Sequence, residues 1–351
     1  MQNQRKGTVK NLVAITQNKS YDSFTRFLKA KYLQPRIWLK LTALKRMESL
    51  RHKGKEIHIV VDGTWISKSG EHPWTSQGRS NKEKKEEGIQ LLTFCFEIGG
   101  RRIPFDFFII NNLKYGSRFS ANDQMLQNLA ELELPRWVKK VTLLADAAFA
   151  AKKVMNKLKA WGWNFVFRLP KTWKFESGES VKDFVYGLSR KDFRTGWYET
   201  SHGKRRYCKY YLHRTELNDV GTVTLIYSYV GNNTDPVKRR VVVTNMALKH
   251  TQVLALYQRR WSIELLFKEL KSEMGLGQMQ LSSSLEQQFT AIAMTMIAYN
   301  TLFAIHDEPK MAVGKLKGQF HTRCMRQNLF SFVSKHLPEP VIERFLARFA
   351  A

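Results

Sequence analysis

Cysteine is scarce and odd in number. Cys95, Cys208 and Cys324 are the 3 in a chain of 351 residues. They lie far apart, which excludes a disulfide framework and a cysteine zinc site and fits a reducing compartment. The 9 His form no pair at a ligand spacing such as H-x3-H, so histidine zinc chemistry has no support either. The first residues, MQNQRKGTVK, hold no apolar leader. The longest apolar stretch, FTAIAMTMIAYNTLFAI from Phe289, carries Thr and Asn inside it and reads as a buried helix rather than a membrane span. No internal repeat or low-complexity segment is visible.

Acidic residues are also in short supply. Lys and Arg number 58 against 30 Asp and Glu, a formal net charge of +28. Such a field repels itself, and a polyanion relieves that cost by exchanging its counterions for Lys and Arg. Nucleic acid is the expected partner; a membrane surface is the weaker reading, because no basic amphipathic helix with a clean apolar face stands out. A hydrophobic content of 43% excludes a mainly disordered chain. The length suffices for two domains, or one with an insertion, without a disulfide or metal staple.

Residues 1–55 hold 14 Lys/Arg against two acids, Asp22 and Glu48, and their apolar residues recur at helical spacing from Tyr21 to Leu50. This region reads as a basic helical DNA-binding segment. Residues 56–170 read as strands and helices in a mixed α/β layout: HIVVDGTW, then two apolar strands joined at Gly99-Gly100, a helix from Ser117 to Leu132, the strand KKVTLLADAAF, a helix from Ala151 to Trp161, and NFVFRLP. Residues 171–246 alternate aromatic and β-branched runs with turns, an all-β insertion. Residues 247–306 return to helix, with one continuous helix expected over 248–274, and 307–351 read as a basic helical tail. KEKKEEG at Lys82 reads as a solvated loop.

Asp62 and Asp146 each close an apolar strand and precede small residues, where a carboxylate can point out of the core from a rigid backbone. Taken alone, either is equally explained as a helix cap or turn former. The segment LALYQRRWSIELLFKELK adds a third element. Tyr257, Arg260, Glu264 and Lys271 stand at offsets 0, 3, 7 and 14, which at about 100° per residue places them within roughly 60° on one helix face. Apolar residues flank that stripe on both sides, Leu256, Ile263, Phe267 and Leu270 on one and Leu254, Trp261 and Leu265 on the other, so the stripe should face a cleft. Three carboxylates can hold two Mg²⁺ ions about 4 Å apart, a pair that activates an attacking oxygen and stabilises a leaving one at a phosphodiester. Arg260 can fork onto a phosphate, Lys271 can act as a point charge, and Tyr257 can donate a hydrogen bond.

The spacing Tyr-x2-Arg-x3-Glu-x6-Lys, with Trp after the Arg and Ile before the Glu, resembles the YREK signature of DDE transposases of bacterial insertion sequences. VVDGTW resembles the first-Asp strand of that group, LLADAAF the second, and NFVFRLPK the strand after it, whose Arg168 would face DNA together with Lys171. The resemblance spans residues 56–306. It implies a ribonuclease H-like mixed sheet flanked by helices, interrupted by the β insertion before the last catalytic helix. It implies a catalytic, metal-holding triad of Asp62, Asp146 and Glu264, two Mg²⁺ ions for which Mn²⁺ can substitute, and phosphate contacts from Tyr257, Arg260 and Lys271. The expected activity is cleavage of transposon ends and their joining to target DNA, carried out by a homodimer on paired ends in the bacterial cytoplasm, associated with the nucleoid. A ribonuclease H-like nuclease that cuts without joining, and a non-catalytic DNA-binding relative, are the alternatives. One departure is plain: Asp146-Ala-Ala-Phe lacks the polar residues of the Asp-Arg-Glu-x-Asp motif of some relatives. Within the insertion, Lys204, Arg205 and Arg206 and then Lys238, Arg239 and Arg240 lie among aromatics and are expected to contact DNA. Trp197 and Tyr207 are candidates for stacking on a base.

Overall fold

The computed structural model describes Arg26 and residues 34–68, 72, 75–79, 85–110, 120–200, 204–229, 235–278 and 284–305. Two compact units divide the chain, one of residues 36–267 and one of 1–35 with 268–351.

The first unit is built on a ten-stranded mixed sheet. After helix α1 (Pro35–Ser49) come strands β1 (Glu56–Ser67), β2 (Ser76–Arg79), β3 (Lys85–Ile98) and β4 (Arg101–Ile110). The β3–β4 hairpin closes on Gly99 and Gly100, whose φ angles of 55° and 82° are those a tight two-residue turn requires. Helix α2 (Ala121–Ala130) leads to β5 (Lys140–Ala145), and helix α3 (Lys152–Ala160) leads to β6 (Asn164–Arg168). Strand β3 pairs antiparallel with both β4 and β1, β1 pairs parallel with β5, and β5 parallel with β6. Three antiparallel strands followed by two parallel ones, the parallel pairs spanned by helical crossovers, is the ribonuclease H-like order.

The period-2 alternation of each strand decides what it buries. Ile57, Ile59 and Val61 of β1, Leu143 and Ala145 of β5, and Phe165 and Phe167 of β6 share one face, where Met47 of α1, Met125 and Leu129 of α2, and Val154 and Leu158 of α3 close the core. Helix α2 starts four residues later than the pattern suggested. Ser120 caps it, accepting from Asp123 N, while Asp123 accepts from Ser120 N in return; residues 117–119 lie outside the described residues.

Helix α1 is tied to the sheet by charge. The fully buried Asp106 of β4 accepts a forked pair from Arg36, Nε at 2.6 Å and the terminal nitrogen at 2.8 Å, and Lys40 Nζ stands 3.0 Å away. The Arg36 guanidinium also lies 4.0 Å above the Phe108 ring. Two cations of the basic N-terminal segment are thus engaged inside the fold. The remainder of that segment, residues 1–33 apart from Arg26, and the tail from residue 306 lie outside the described residues.

Lys85–Gly88 open strand β3 rather than forming a loop, paired with β2 from Ser76↔Gly88 to Arg79↔Lys85; residues 81–84 lie outside the described residues. Gly88 is there because Trp65 lies across it. A Cβ at Gly88 would come 2.4 Å from the Ile66 carbonyl oxygen and 2.7 Å from the indole. We expect Gly88→Ala to destabilise the fold by about 1–3 kcal/mol, the cost of overpacking, whereas an uncrowded strand glycine would gain from the same change. Urea unfolding of the two proteins decides between these signs.

Residues 171–246 supply helix α4 (Val181–Gly187) and strands β7 (Arg194–Glu199), β8 (Arg205–Leu217), β9 (Gly221–Tyr229) and β10 (Arg240–Thr244). The insertion thus carries one short helix, and its strands extend the same sheet. Strand β10 pairs antiparallel with β6 through Val242↔Arg168 and Val243↔Phe167, and β9, β8 and β7 follow outward. Val223, Leu225, Tyr227, Val241 and Val243 join the same continuous core. Helix α5 (His250–Arg259) lies across the opposite face of the sheet, over β5, β6, β10 and β7.

Helix α6 (Trp261–Ser272) follows α5 directly and crosses into the second unit at Lys268. In that unit, helix α7 (Leu285–Ile305) buries Ala291, Ile292, Ala293, Met296 and Leu302, and Tyr299 Oη donates to Glu269 Oε2 at 2.8 Å. This is the apolar stretch read as a buried helix. Among the described residues no helix is long and apolar enough to cross a membrane.

Candidate active site

Asp62 is not at the end of β1, which runs five residues further on, paired with β3 as far as Ser67↔Gly88. What ends there is the pairing with β5. The last parallel pair is Val61↔Ala145, so Asp62 and Asp146 are the next residues outward on two neighbouring parallel strands. Ala145 in turn pairs with Phe167 of β6. One cross-sheet row therefore carries Asp62, Asp146 and Arg168, on the face away from α1–α3, with neighbouring strands about 4.8 Å apart.

Asp146 has the position of a cap on the short turn Ala147–Phe149, but its side chain caps nothing. Its Oδ1 is buried without a hydrogen-bond partner. That removes the bland explanation for this carboxylate and leaves a buried acceptor in want of a cation. Asp62 Oδ1 accepts from Gly63 N at 2.8 Å. Burial, together with the neighbouring Asp146 and Glu264, pushes the Asp62 carboxyl above its ordinary range against the pull of Gly63 and Arg260.

The expected single helix over 248–274 is two. Arg260 joins α5 to α6, with Arg260 N bonded to Tyr257 O and Ile263 N to Arg260 O. These bonds span three residues, so the ladder tightens at the junction, while the φ and ψ of −53° and −34° at Arg260 keep a helical course. Tyr257, Arg260 and Glu264 accordingly stay on one face. On one flank Ile263, Phe267 and Leu270 are buried and Leu256 half-buried; on the other Leu254 is buried and Leu265 half-buried, while Trp261 alone of these flanking residues is exposed.

Arg260 is the centre of the site. Its two terminal nitrogens donate to Asp62 Oδ2 at 3.0 Å and Glu264 Oε1 at 2.6 Å. The residue is 8% exposed. Burial opposes its charge, but Tyr257, Asp62 and Glu264 together hold the guanidinium more firmly protonated than usual. Tyr257, also buried, has its phenol raised by burial and by Asp146, with Arg260 and Arg168 pulling the other way. Asp62, Asp146, Tyr257, Arg260 and Glu264 thus share one electrostatic neighbourhood, with Arg168 at its exposed edge. Among the described residues no three His, Cys, Asp or Glu side chains stand as a finished metal cluster; the guanidinium occupies the space between two of the three acids.

Other residues expected at DNA sort by exposure. Lys204, Arg205 and Arg206 are exposed at the start of β8, and Arg205 lies 4.4 Å above the ring of Trp197, which is itself 40% exposed. Tyr207 is more exposed still, and pairs across strands with Trp197. Lys238 and Arg240 are exposed. Lys171 Nζ donates to Val237 O at 2.9 Å and its pKa is lowered by burial, with Arg239 and Arg168 adding to the effect against Asp235. Arg239 departs from expectation. It is 5% exposed and donates to the carbonyls of Val185 and Leu188 at 2.6 and 2.9 Å, closing the end of α4 against Phe193 and Tyr229. Such a guanidinium is part of the core, not a DNA contact. Lys271 lies in the last turn of α6, within the second unit, where burial lowers its pKa.

One cluster escaped the sequence reading. Buried Glu97, at the end of β3, takes Nδ1 of His58 at 2.8 Å and Arg259 at 3.0 Å, fixing α5 to the sheet one residue before Arg260. An acid inside the apolar run FCFEI was the available signal. Burial would raise the Glu97 carboxyl, but His58 and Arg259 outweigh it and hold it below the ordinary 4.5. A lowered acid stabilises the fold above its unfolded value and loses that contribution as pH falls through the folded one. We expect Glu97→Gln to cost about 1.5–3 kcal/mol at neutral pH, shrinking on acidification below pH 4.5. Urea unfolding across that range checks it; a cost that grows on acidification contradicts the cluster.

The strand order defines a ribonuclease H-like fold, in which Asp62 and Asp146 stand side by side where the β1–β5 pairing ends. Seven chains of solved structures match. Among them is the piggyBac transposase in a synaptic complex with hairpin DNA, at a TM-score of 0.53 and 12% identity, over 99% of this chain and 72% of that one. No curated protein matches the chain in sequence. The transposase DDE domain model matches residues 53–301, and the chain belongs to that family.

Proposed function

We propose that the chain is a DNA transposase of the bacterial insertion-sequence, YREK-bearing kind, which cleaves element ends and joins them to target DNA. Asp62, Asp146 and Glu264 would hold two divalent ions, Mg²⁺ or Mn²⁺. The observation that carries this reading is the buried, unpartnered Oδ1 of Asp146 in register beside Asp62. A structural acid would be capped or paired there; a metal ligand needs a free oxygen lone pair. Family membership points the same way.

When bound, the ions supply activation of the attacking water or 3′-OH and stabilisation of the leaving oxygen. The protein's own part is placement. Strands β1 and β5 fix two carboxylates in register, so little reorganisation is left for the reaction. Tyr257 and Arg260 offer a hydroxyl and a guanidinium to non-bridging phosphate oxygens, and Arg168 an exposed cation in the same row. Lys171, Lys204, Arg205, Arg206, Lys238 and Arg240 would track the phosphate backbone, and Lys271 would offer a further phosphate contact. The basic regions 1–55 and 307–351 would flank a core of 56–170 and 247–306 as further DNA contacts, with 171–246 as the insertion. A homodimer on paired ends, acting on the nucleoid in the cytoplasm, completes the proposal.

The test incubates purified protein, labelled duplexes carrying the terminal repeats that flank its gene, and supercoiled target in Mg²⁺. Joined product is expected. Cuts without joining favour a nuclease, and binding without cutting in Mg²⁺ or Mn²⁺ favours a non-catalytic DNA-binding protein.

A further inference from the structure

Arg260 faces two demands that conflict. The proposed reaction asks it to grip a phosphate and asks Asp62 and Glu264 to grip cations. In the structure it grips those two acids itself, at 3.0 and 2.6 Å, from a position 8% exposed. A guanidinium that forks across two carboxylates delivers one positive charge to the place where divalent ions would deliver more. We propose that Arg260 is the built-in counter-cation of the acidic cluster, released to DNA phosphate only when divalent ions take over its carboxylates. This rests on the function proposed above and adds to it an order of events: ion entry and the Arg260–phosphate contact are one coupled exchange.

First, three carboxylates in one partly buried neighbourhood repel: Asp62 and Asp146 follow the last pair of two neighbouring parallel strands, and Arg260 stands between Asp62 and Glu264, 3.0 and 2.6 Å from their oxygens. A charge of opposite sign between them relieves that cost while no ion is present. Second, the bridge reaches Asp62 and Glu264 and leaves Asp146 Oδ1 unpartnered, so an ion has a free oxygen at which to begin. Third, the side chain is not fully satisfied where it sits. Arg260 Nε is buried without a partner, so another acceptor can compete for the group at lower cost than for a fully bonded arginine. The Tyr257 ring, 5.8 Å from the guanidinium, lies on the same helix face as Arg260 and Glu264 and gives a phosphate a neighbouring donor.

Coupling of this kind is reciprocal: whatever helps ions displace Arg260 helps phosphate capture it, and the reverse. It also keeps ions from being held tightly before DNA arrives.

The first arm of the test measures Mn²⁺ binding to the full chain without DNA, by electron paramagnetic resonance of free Mn²⁺. We expect Arg260→Met to bind Mn²⁺ about tenfold or more tightly than the natural protein, and Arg260→Lys to shift in the same direction, since one ammonium replaces a two-pronged bridge. Arg168→Met removes an equal charge nearby without touching the bridge, and its effect is expected to stay within about twofold. Equal gains from Arg168→Met and Arg260→Met, or no gain from either Arg260 variant, would overturn the proposal. Adding Asp146→Asn to Arg260→Met should abolish the gained site. If it does not, the ions are not at the acids and the proposed function itself fails, an outcome distinct from failure of the exchange.

The second arm measures binding of the end duplex against salt, in EDTA and in Ca²⁺. A phosphate contact contributes about 0.9 to the slope of log affinity against log salt. The natural protein and Arg260→Met should have the same slope in EDTA and differ by about that amount in Ca²⁺. An identical difference in both conditions, zero included, contradicts the exchange.

Discussion

Asp146→Asn is expected to abolish DNA cleavage while leaving the fold untouched. Asparagine matches aspartate in size, and Asp146 Oδ1 makes no hydrogen bond that the change could break. Stability should therefore stay within about 0.5 kcal/mol of the natural protein. Activity should not. Loss of a group that merely supports a metal ligand costs about 10–100-fold, so loss of a ligand should exceed that, at about 10³-fold or more in cleavage rate. Asp62→Asn and Glu264→Gln are less clean, because each also weakens a bond to Arg260 at 3.0 or 2.6 Å and so confounds chemistry with site geometry. Gel assay of end cleavage paired with a thermal melt of each variant separates the two effects. Full cleavage by Asp146→Asn would remove this residue from the site.

A large stability effect is expected outside the acidic cluster, at Asp106. It is fully buried and takes the whole fork of Arg36 plus Lys40. Removing one partner of a buried ion pair costs about 3–5 kcal/mol when the other is stranded. Here Arg36 and Lys40 keep side-chain exposures of 31% and 23% and can recover some water. Asp106→Ala should therefore cost about 2–3 kcal/mol, below the fully stranded value. The loss should fall on the seating of α1 against β4. Urea unfolding measures the cost, and amide exchange across residues 35–49 locates it. Exchange in α1 as slow as in the natural protein would show that the helix is held by its apolar face alone.

Much of this architecture is legible in local pattern. The β3–β4 turn is announced by Gly99-Gly100, because few other residues tolerate φ of 55° and 82° in succession. Asp62 and Asp146 stand out because an acid interrupts an apolar strand run, and Glu264 because its spacing from Tyr257 and Arg260 is a helical one. What local pattern cannot report is the partner. Nothing in VVDGTW says that β1 continues past Asp62 with β3 after β5 has stopped. Nothing in RRVVVT says that β10 pairs with β6 and so merges the insertion with the core sheet. A basic triplet reads the same whether its middle residue faces water or, like Arg239, closes a helix end from within. The Glu97–Arg259 and Asp106–Arg36 pairs escape notice for the same reason: each joins residues far apart in sequence, and their energy comes from burial. Arg260 was legible as a cation on the right face, but not as the group lying between two of the acids.

The central claim is that Asp62, Asp146 and Glu264 together hold divalent ions at a DNA backbone. Anomalous diffraction from crystals of the protein grown with end duplex and Mn²⁺ tests it most directly. Manganese peaks bounded by these three carboxylates, with Arg260 turned onto a phosphate, are what the account predicts. Saturating Mn²⁺ that leaves the three acids without a peak, and Arg260 still bridging Asp62 to Glu264 beside bound DNA, would contradict it.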